Sequence, residues 1–241
     1  MIALFTDFGV SGPYVGQVHA VLQRRAPGVP VVDLFHDVPN HNIRAGAYLL
    51  PPYAQGFPVG TICVCVVDPG VGGSRRALML EADGRWYVGP DNGLLLIAAR
   101  RAKEATWREI LWRPDTLSAT FHGRDLFAPV AAELALGHIP ESRVIPAPPA
   151  PAELWPEDLA EILYLDRYGN ALTGLRASQV SPEAAIRAGA GRFAQANTYS
   201  DVPVGKGFWY ENANGLVEIA VHGGSAAQEA GIRVGDVVRL E

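Results

Sequence analysis

Apolar residues gather in solid runs in the first part of the chain and in alternating runs in the last third. MIALFT (1–6), VPVVDLF (29–35) and TICVCVV (61–67) have strand length and almost no polar interruption, as strands buried on both faces do. Between the first two, Tyr14, Val18, Val21 and Leu22 fall on one face of a helix expected from Tyr14 to Arg25, closed by Pro27 and Gly28. A second helix is expected from about Ile43 to Leu50. ALMLEA (77–82) and RWYVG (85–89) flank Asp83-Gly84 and predict a hairpin. Asp91 is placed to cap a helix reaching Arg101, a short strand follows near 107–112, and a helix is expected from about Asp125 to Leu136, stopped by Gly137. Strand–helix alternation of this kind predicts an α/β domain over residues 1–145, with a mostly parallel sheet covered on both faces.

The texture changes at PAPPAPAELWP (146–156), where five prolines in eleven residues predict a stiff, extended linker. Beyond it, over 157–241, EILYLD, RFAQA, FWYEN, LVEIAV and DVVRL are short alternating runs separated by Gly, Asn and Asp. They predict an antiparallel all-β domain, with one short helix at Ser225–Ala230, where Ser225 and Gln228 have capping-box spacing.

Composition narrows the function classes. With 49% apolar and 19% charged residues, the 241-residue chain can bury a substantial core. The formal net charge is −5, with 14 acidic and 13 basic residues before Pro156 and 11 and 7 after it. No basic face stands out, which argues against nucleic acid or an anionic membrane as partner. Cys63 and Cys65 share one face of the third run, poorly placed for a disulfide, and no further ligand spacing suggests a metal. Buried reduced thiols and the lack of a signal peptide or spanning segment point to the cytoplasm.

Polar residues mark the places where chemistry is expected. The third run stops at Asp68, Pro69 and Gly70 turn the chain, Gly72 and Gly73 leave the backbone bare, and Arg75 and Arg76 follow. That stretch reads equally as the floor of a site at a strand end or as a good turn. Asp7 ends the first strand, Asp91-Asn92 follows the hairpin, and TFHGRD (120–125) precedes the last helix of the first domain. In a parallel sheet these ends share one edge, so the groups are expected to converge on one crevice. Gly123 leaves His122 room to face a ligand, although a lone histidine is ordinarily structural. Asp7-Phe8-Gly9 imitates a kinase magnesium motif without its companions, and GVGGSR lacks the GK[ST] of a phosphate-binding loop.

These motifs taken together, TDFG, VVDPGVG with its arginines, Gly89-Pro90-Asp91-Asn92-Gly93, TFHGRD, DRYGN and ENANGLVEIAVHGGSAAQEAGIRVGD, resemble the S-adenosyl-L-methionine hydroxide adenosyltransferases, relatives of the fluorinase and chlorinase. The resemblance spans essentially the whole chain. It implies an N-terminal α/β domain and a C-terminal β-barrel. It also implies a homotrimer with active sites between the N-terminal domain of one subunit and the C-terminal domain of the next. The implied reaction is cofactor-independent and metal-free: water, activated to hydroxide, attacks the 5′ carbon of S-adenosyl-L-methionine and yields adenosine and L-methionine. The family's catalytic trio falls on Asp68, Arg75 and His122, with either Asp68 or His122 available to accept the water's proton. Asp7, with Phe8 beside it, is implied to grip the ribose, Tyr168 and Tyr199 to flank the adenine, and Asn170 to bond to it. Asp166 is implied to meet the methionine ammonium, with Asn212 and the backbone around Ala227 completing the pocket. The chain departs from the family at Gly12, where an acidic residue is frequent, and at Ala213, where Ser is frequent, both at the methionine end. Arg76 has no role beyond a structural one.

Overall fold

A computed structural model describes residues 1–148 and 155–241, and the chain divides into two compact units, Met1–Leu154 and Trp155–Glu241. Part of the proline-rich stretch, 149–154, lies outside the described residues. No helix among the described residues is long and apolar enough to cross a membrane.

In the first unit the solid apolar runs become β1 (Ile2–Thr6), β2 (Val31–Phe35) and β3 (Ile62–Val66). The hairpin forms β4 (Ala77–Ala82) and β5 (Arg85–Pro90), followed by β6 (Ala105–Ile110) and β7 (Ser142–Ile145). The sheet order is β2-β1-β3-β5-β4-β6-β7. Its first four strands are mutually parallel, and the other three extend it antiparallel. Asp83 and Gly84 both take positive φ, 46° and 73°, as a two-residue hairpin turn requires. Ile2, Leu4, Ile62, Val64 and Val66 join one core with α1 (Tyr14–Arg25) and α4 (Ala128–Ala135). On the opposite face Ala3, Phe5, Cys63 and Cys65 are equally buried. Solid runs are therefore what a sheet covered on both sides selects. Both cysteines are free, and burial pushes their thiols up, Cys63 to about 12.

Three local expectations need correction. Helix α2 (Ile43–Ala54) does not stop before Pro51 and Pro52. A proline lacks a donor, but its carbonyl still accepts, and Gln55 N–H bonds to Pro51 O at 3.0 Å. Asp91 caps nothing: α3 (Leu96–Arg101) starts five residues later, and the Asp91 carboxylate is taken by Arg76. The helix expected from Asp125 is split into a π-helical turn, Gly123–Phe127, and α4.

The second unit holds β8 (Leu159–Leu165), β9 (Ala171–Arg176), β10 (Ile186–Ala188), β11 (Gly191–Gln195), β12 (Gly207–Glu211), β13 (Leu216–Val221) and β14 (Arg239–Leu240). Their order is β14-β10-β11-β12-β13-β9-β8. The chain just before β14 returns to β8: Ile162 N–H bonds to Asp236 O at 2.8 Å and Val238 N–H to Ala160 O at 2.9 Å. The sheet thus nearly closes into a barrel around Ile162, Leu175, Phe193, Trp209, Val217 and Ile219. One pair, β11–β12, is parallel rather than antiparallel, because residues 196–206 cross over between them. The short helix α5 (Ala226–Glu229) is capped by the Ser225 side chain, which accepts from Gln228 N–H, but the reciprocal bond of the expected capping box is replaced by Ser225 N–H donating to Glu229.

Candidate active site

The parallel register of β1 and β3 (Thr6 opposite Val66) sets the turns that follow them side by side. One turn carries Asp7 and the other Asp68, and Asp7 N–H bonds to Val66 O. The VGGSRR loop is then drawn toward the segment that carries His122. Gly72 has φ +80°, and a Cβ there would overlap the carbonyl oxygen of Ala119, so only glycine permits this approach. On the other side, a Cβ at Gly123 would press on the Phe8 ring at 3.0 Å. Asp125 accepts from Ser118 N–H at 3.0 Å and from Arg124, which fixes the loop leading into the π-helical turn.

Asp7, Asp68 and His122 line one cavity of about 350 Å³, together with Phe8, Tyr14, Asn40, His41 and Phe121. Arg75 ties Asp68 and His122 together. Its Nε donates to both carboxylate oxygens of Asp68, at 3.1 and 3.0 Å, and Nη2 donates to Oδ2 at 2.5 Å. The same Nη2 lies 2.8 Å from His122 Nδ1. A guanidinium has no lone pair to offer, so Nδ1 is the acceptor and the neutral ring carries its hydrogen on Nε2. Among the described residues no protein group pairs with that Nε2. Burial, and next the charge of Arg75, hold the His122 pKa below its ordinary 6.5, against the opposing pull of Asp68. The Arg75 guanidinium also sits 5.3 Å above the Phe127 ring. Phe8, Tyr14 and Phe121 touch one another, with centroids 5.4–6.0 Å apart, and form an aromatic wall. Tyr14 is half exposed, not on the packed face of α1 where periodicity put it.

The second unit has its own hollow, of about 390 Å³, lined by Tyr168, Asn170, Tyr199, Val221, Gly223 and Gly224. Asp166 holds the turn beneath it. Its Oδ1 accepts from the N–H groups of Tyr168 and Asn170, both at 2.9 Å, and its Oδ2 from Asn170 Nδ2 at 2.9 Å. Ala227 N–H bonds to Gly169 O at 3.0 Å, which docks the turn on α5. Asn212 is buried. Its Oδ1 accepts from Asn214 and Leu216 N–H, and its Nδ2 donates to the buried Glu218, which also receives Tyr210 OH at 2.6 Å. Tyr168 is 81% exposed.

Family models for the SAM hydroxide adenosyltransferase N-terminal and C-terminal domains match residues 2–143 and 160–239. The chain belongs to the SAM hydroxide adenosyltransferase family. An (R)-S-adenosyl-L-methionine hydrolase of Thermus thermophilus is 41% identical, with 99% of this chain and 98% of that protein covered. A fluorinase of Actinoplanes sp. is 26% identical over 57% of this chain and 55% of its own length. Among solved structures, an uncharacterized conserved protein of Thermotoga maritima superposes with a TM-score of 0.86 at 30% identity, covering 100% of this chain and 99% of that one.

The first unit brings Asp7, Phe8, Asp68 and His122 together around one cavity, with Arg75 joining Asp68 to His122. The Asp91-Asn92 pair does not join them. Asp91 accepts from Arg76 Nε at 2.7 Å, and Asn92 bonds to Val67 O and Leu94 N–H. Arg76 is accordingly a structural clamp. Tyr168, Asn170 and Tyr199 share the second hollow. His41 escaped sequence reasoning. Its N–H bonds to Asp7 Oδ2 at 3.0 Å, and its φ of +61° is unusual outside glycine. The neighbouring Asn40 and Asn42, both turn formers, were the available signal.

Proposed function

We propose that the protein hydrolyses S-adenosyl-L-methionine to adenosine and L-methionine, by attack of a water activated to hydroxide on the 5′ carbon, without cofactor or metal. The observation that carries this reading is the pair Asp68 and His122, joined through Arg75, on the wall of the cavity that also holds Asp7. The full-length similarity to the Thermus thermophilus hydrolase supports it.

The chemistry suits these residues. A sulfonium departs as a neutral thioether, so nothing need protonate the leaving group. The demand falls on holding water in line with the carbon–sulfur bond, where fixed geometry is worth roughly 7–11 kcal/mol in favourable systems. A water has two hydrogens and two lone pairs. Asp68 takes one hydrogen, and the Nε2–H of His122 donates to one lone pair, which leaves the other to form the carbon–oxygen bond as the carbon–sulfur bond breaks. Asp68 is then the proton acceptor, and Arg75 is the clamp that orients both partners. A bare halide has no proton to give Asp68 and would be repelled by it. That separates this site from a halogenase.

Asp7 takes the ribose hydroxyls, with Phe8 in the wall beside it. Tyr168 and Tyr199 offer ring faces to the adenine and Asn170 its amide. Asp166 Oδ2, which accepts one hydrogen bond, keeps capacity for the methionine ammonium, and Asn212 and Ala227 act through the turns they hold. The assembly we propose is a homotrimer whose sites combine the N-terminal domain of one subunit with the C-terminal domain of the next. The exposed Tyr168 is consistent with that, and sedimentation would test it. Two buried free thiols suit a cytoplasmic protein. Incubation with S-adenosyl-L-methionine plus fluoride or chloride, followed by chromatography, should give adenosine. Halogenated nucleoside in excess of adenosine would sink the reading.

A further inference from the structure

Behind Asp7 lies a chain of hydrogen bonds that the trio does not use. Thr6 ends β1 and His36 follows β2, and the parallel pairing of the two strands brings both to the same sheet edge. Thr6 Oγ1 accepts from Phe8 N–H at 3.2 Å and lies 2.7 Å from His36 Nδ1. His36 Nε2 is 3.0 Å from Asp33 Oδ1, which also meets His19 Nε2 of α1 at 2.7 Å. An ionised carboxylate only accepts, so His36 Nε2 carries the hydrogen. A ring with its one hydrogen on Nε2 leaves Nδ1 to take the hydroxyl hydrogen of Thr6. The polarity runs one way: Phe8 N–H to Thr6, Thr6 O–H to His36, His36 N–H to Asp33. Burial opposes the charge on Asp33, yet the bonds from His36 and His19 hold its pKa below the ordinary value.

Thr6 and His36 are both buried, while Asp33 reaches solvent. The Phe8 ring packs on the core and on Tyr14 and Phe121. The Asp7–Phe8 peptide itself is held by hydrogen bonds, and Gly9 N–H adds one to His36 O at 2.8 Å.

We propose that Thr6 and His36 are positioning residues for Asp7: their hydrogen-bond chain fixes the Asp7–Phe8 peptide and so aims the carboxylate at the ribose diol. The proposal rests on the ribose reading of Asp7 given above. Thr6→Val keeps the volume of the side chain and deletes its hydroxyl, and Thr6→Ser restores it. In T6V the KM for S-adenosyl-L-methionine should rise about tenfold, as expected for a buried donor left unpaired, with kcat moving by less than about threefold. The decisive readout is the ratio of affinities for adenosine and 2′-deoxyadenosine, measured by calorimetry. It should shrink about fivefold in T6V and recover in T6S. His36→Asn, which keeps an acceptor near the Nδ1 position but loses Asp33, gives a second reading and should shrink the ratio about twofold. A wild-type ratio unchanged in both T6V and H36N overturns the proposal while leaving the ribose reading standing. A wild-type enzyme that does not tell the two nucleosides apart removes the ribose reading, and the proposal with it.

Discussion

The two hollows of this chain use polar atoms in opposite ways. In the first unit the charged groups on the cavity wall are tied to one another and still keep open positions. Asp68 Oδ1 carries a single bond of 3.1 Å, and His122 Nε2 meets no protein group among the described residues. In the second unit the polar groups are largely absorbed in holding turns, as Asp166 and Asn212 are, and the hollow is walled by tyrosines, Val221 and glycines. The first arrangement can act on a bond. The second can hold a flat, mostly apolar body by its faces. On that contrast, removing one polar atom should matter greatly in the first unit and little at the walls of the second.

The largest effect should come from Asp68→Asn, which changes one atom of the trio and little of its shape. The amide cannot take the water's proton, so kcat should fall by about 10²–10⁴-fold, while affinity for adenosine, read by calorimetry, stays within a few fold. An unchanged kcat would take Asp68 out of the chemistry. Next is Arg75→Met, which removes the clamp but keeps the bulk, with kcat expected to drop on the order of 10²-fold. It also carries a pH signature. Arg75 is the second cause, after burial, holding the His122 pKa down, and Asp68 opposes both. Without Arg75 the pKa should rise. NMR titration of the ring would follow the shift directly. In the wild type the depressed value means that the unfolded chain binds this proton first as pH falls. His122 therefore contributes stability that is fully present above 6.5 and is lost as pH drops through its lowered pKa.

A test of the second unit's economy comes third. Asn212→Ala strips two backbone donors of their acceptor and leaves buried Glu218 with Tyr210 alone. Stability should fall by about 2–4 kcal/mol, seen as a lower Tm in calorimetry. A variant as stable as the wild type would break the view that these polar groups serve their own turns.

How much of this was legible depended on whether the cause was local. The solid runs of β1 and β3, the ends of α1 and the Asp83-Gly84 hairpin follow from periodicity and turn chemistry, and each was readable without the fold. The end of α2 was not, because Pro51 and Pro52 signal a stop while the Pro51 carbonyl still accepts from Gln55 N–H. The role of Asp91 was not, because its partner Arg76 lies fifteen residues away and competes with any helix cap. β9 and β10 escaped because ALTGLR lacks a clean alternation and IRA is three residues long. Asp68, Arg75 and His122 could be named from their motifs. The hydrogen on His122 Nε2 could not, since it is set by which nitrogen Arg75 reaches, and that depends on Gly72 lying against Ala119.

The smallest expected effect sharpens the comparison most. Tyr199 contacts Phe208 and Tyr210 edge-on, with centroids 5.2 and 5.7 Å away, so its ring is set by packing. Among the described residues its hydroxyl reaches only Tyr210 OH, at 3.4 Å, a separation at which a hydrogen bond is weak. Tyr210 OH is meanwhile committed to Glu218 at 2.6 Å and does not depend on Tyr199. Tyr199→Phe should therefore leave the ring where it is and change adenosine affinity by less than about twofold, whereas Tyr199→Ala should cost about tenfold or more through the lost stacking face. The pair, run side by side in calorimetry, separates recognition by ring faces from recognition by hydroxyls. A phenylalanine variant as weak as the alanine one would mean that the second hollow, like the first, works through a single polar atom.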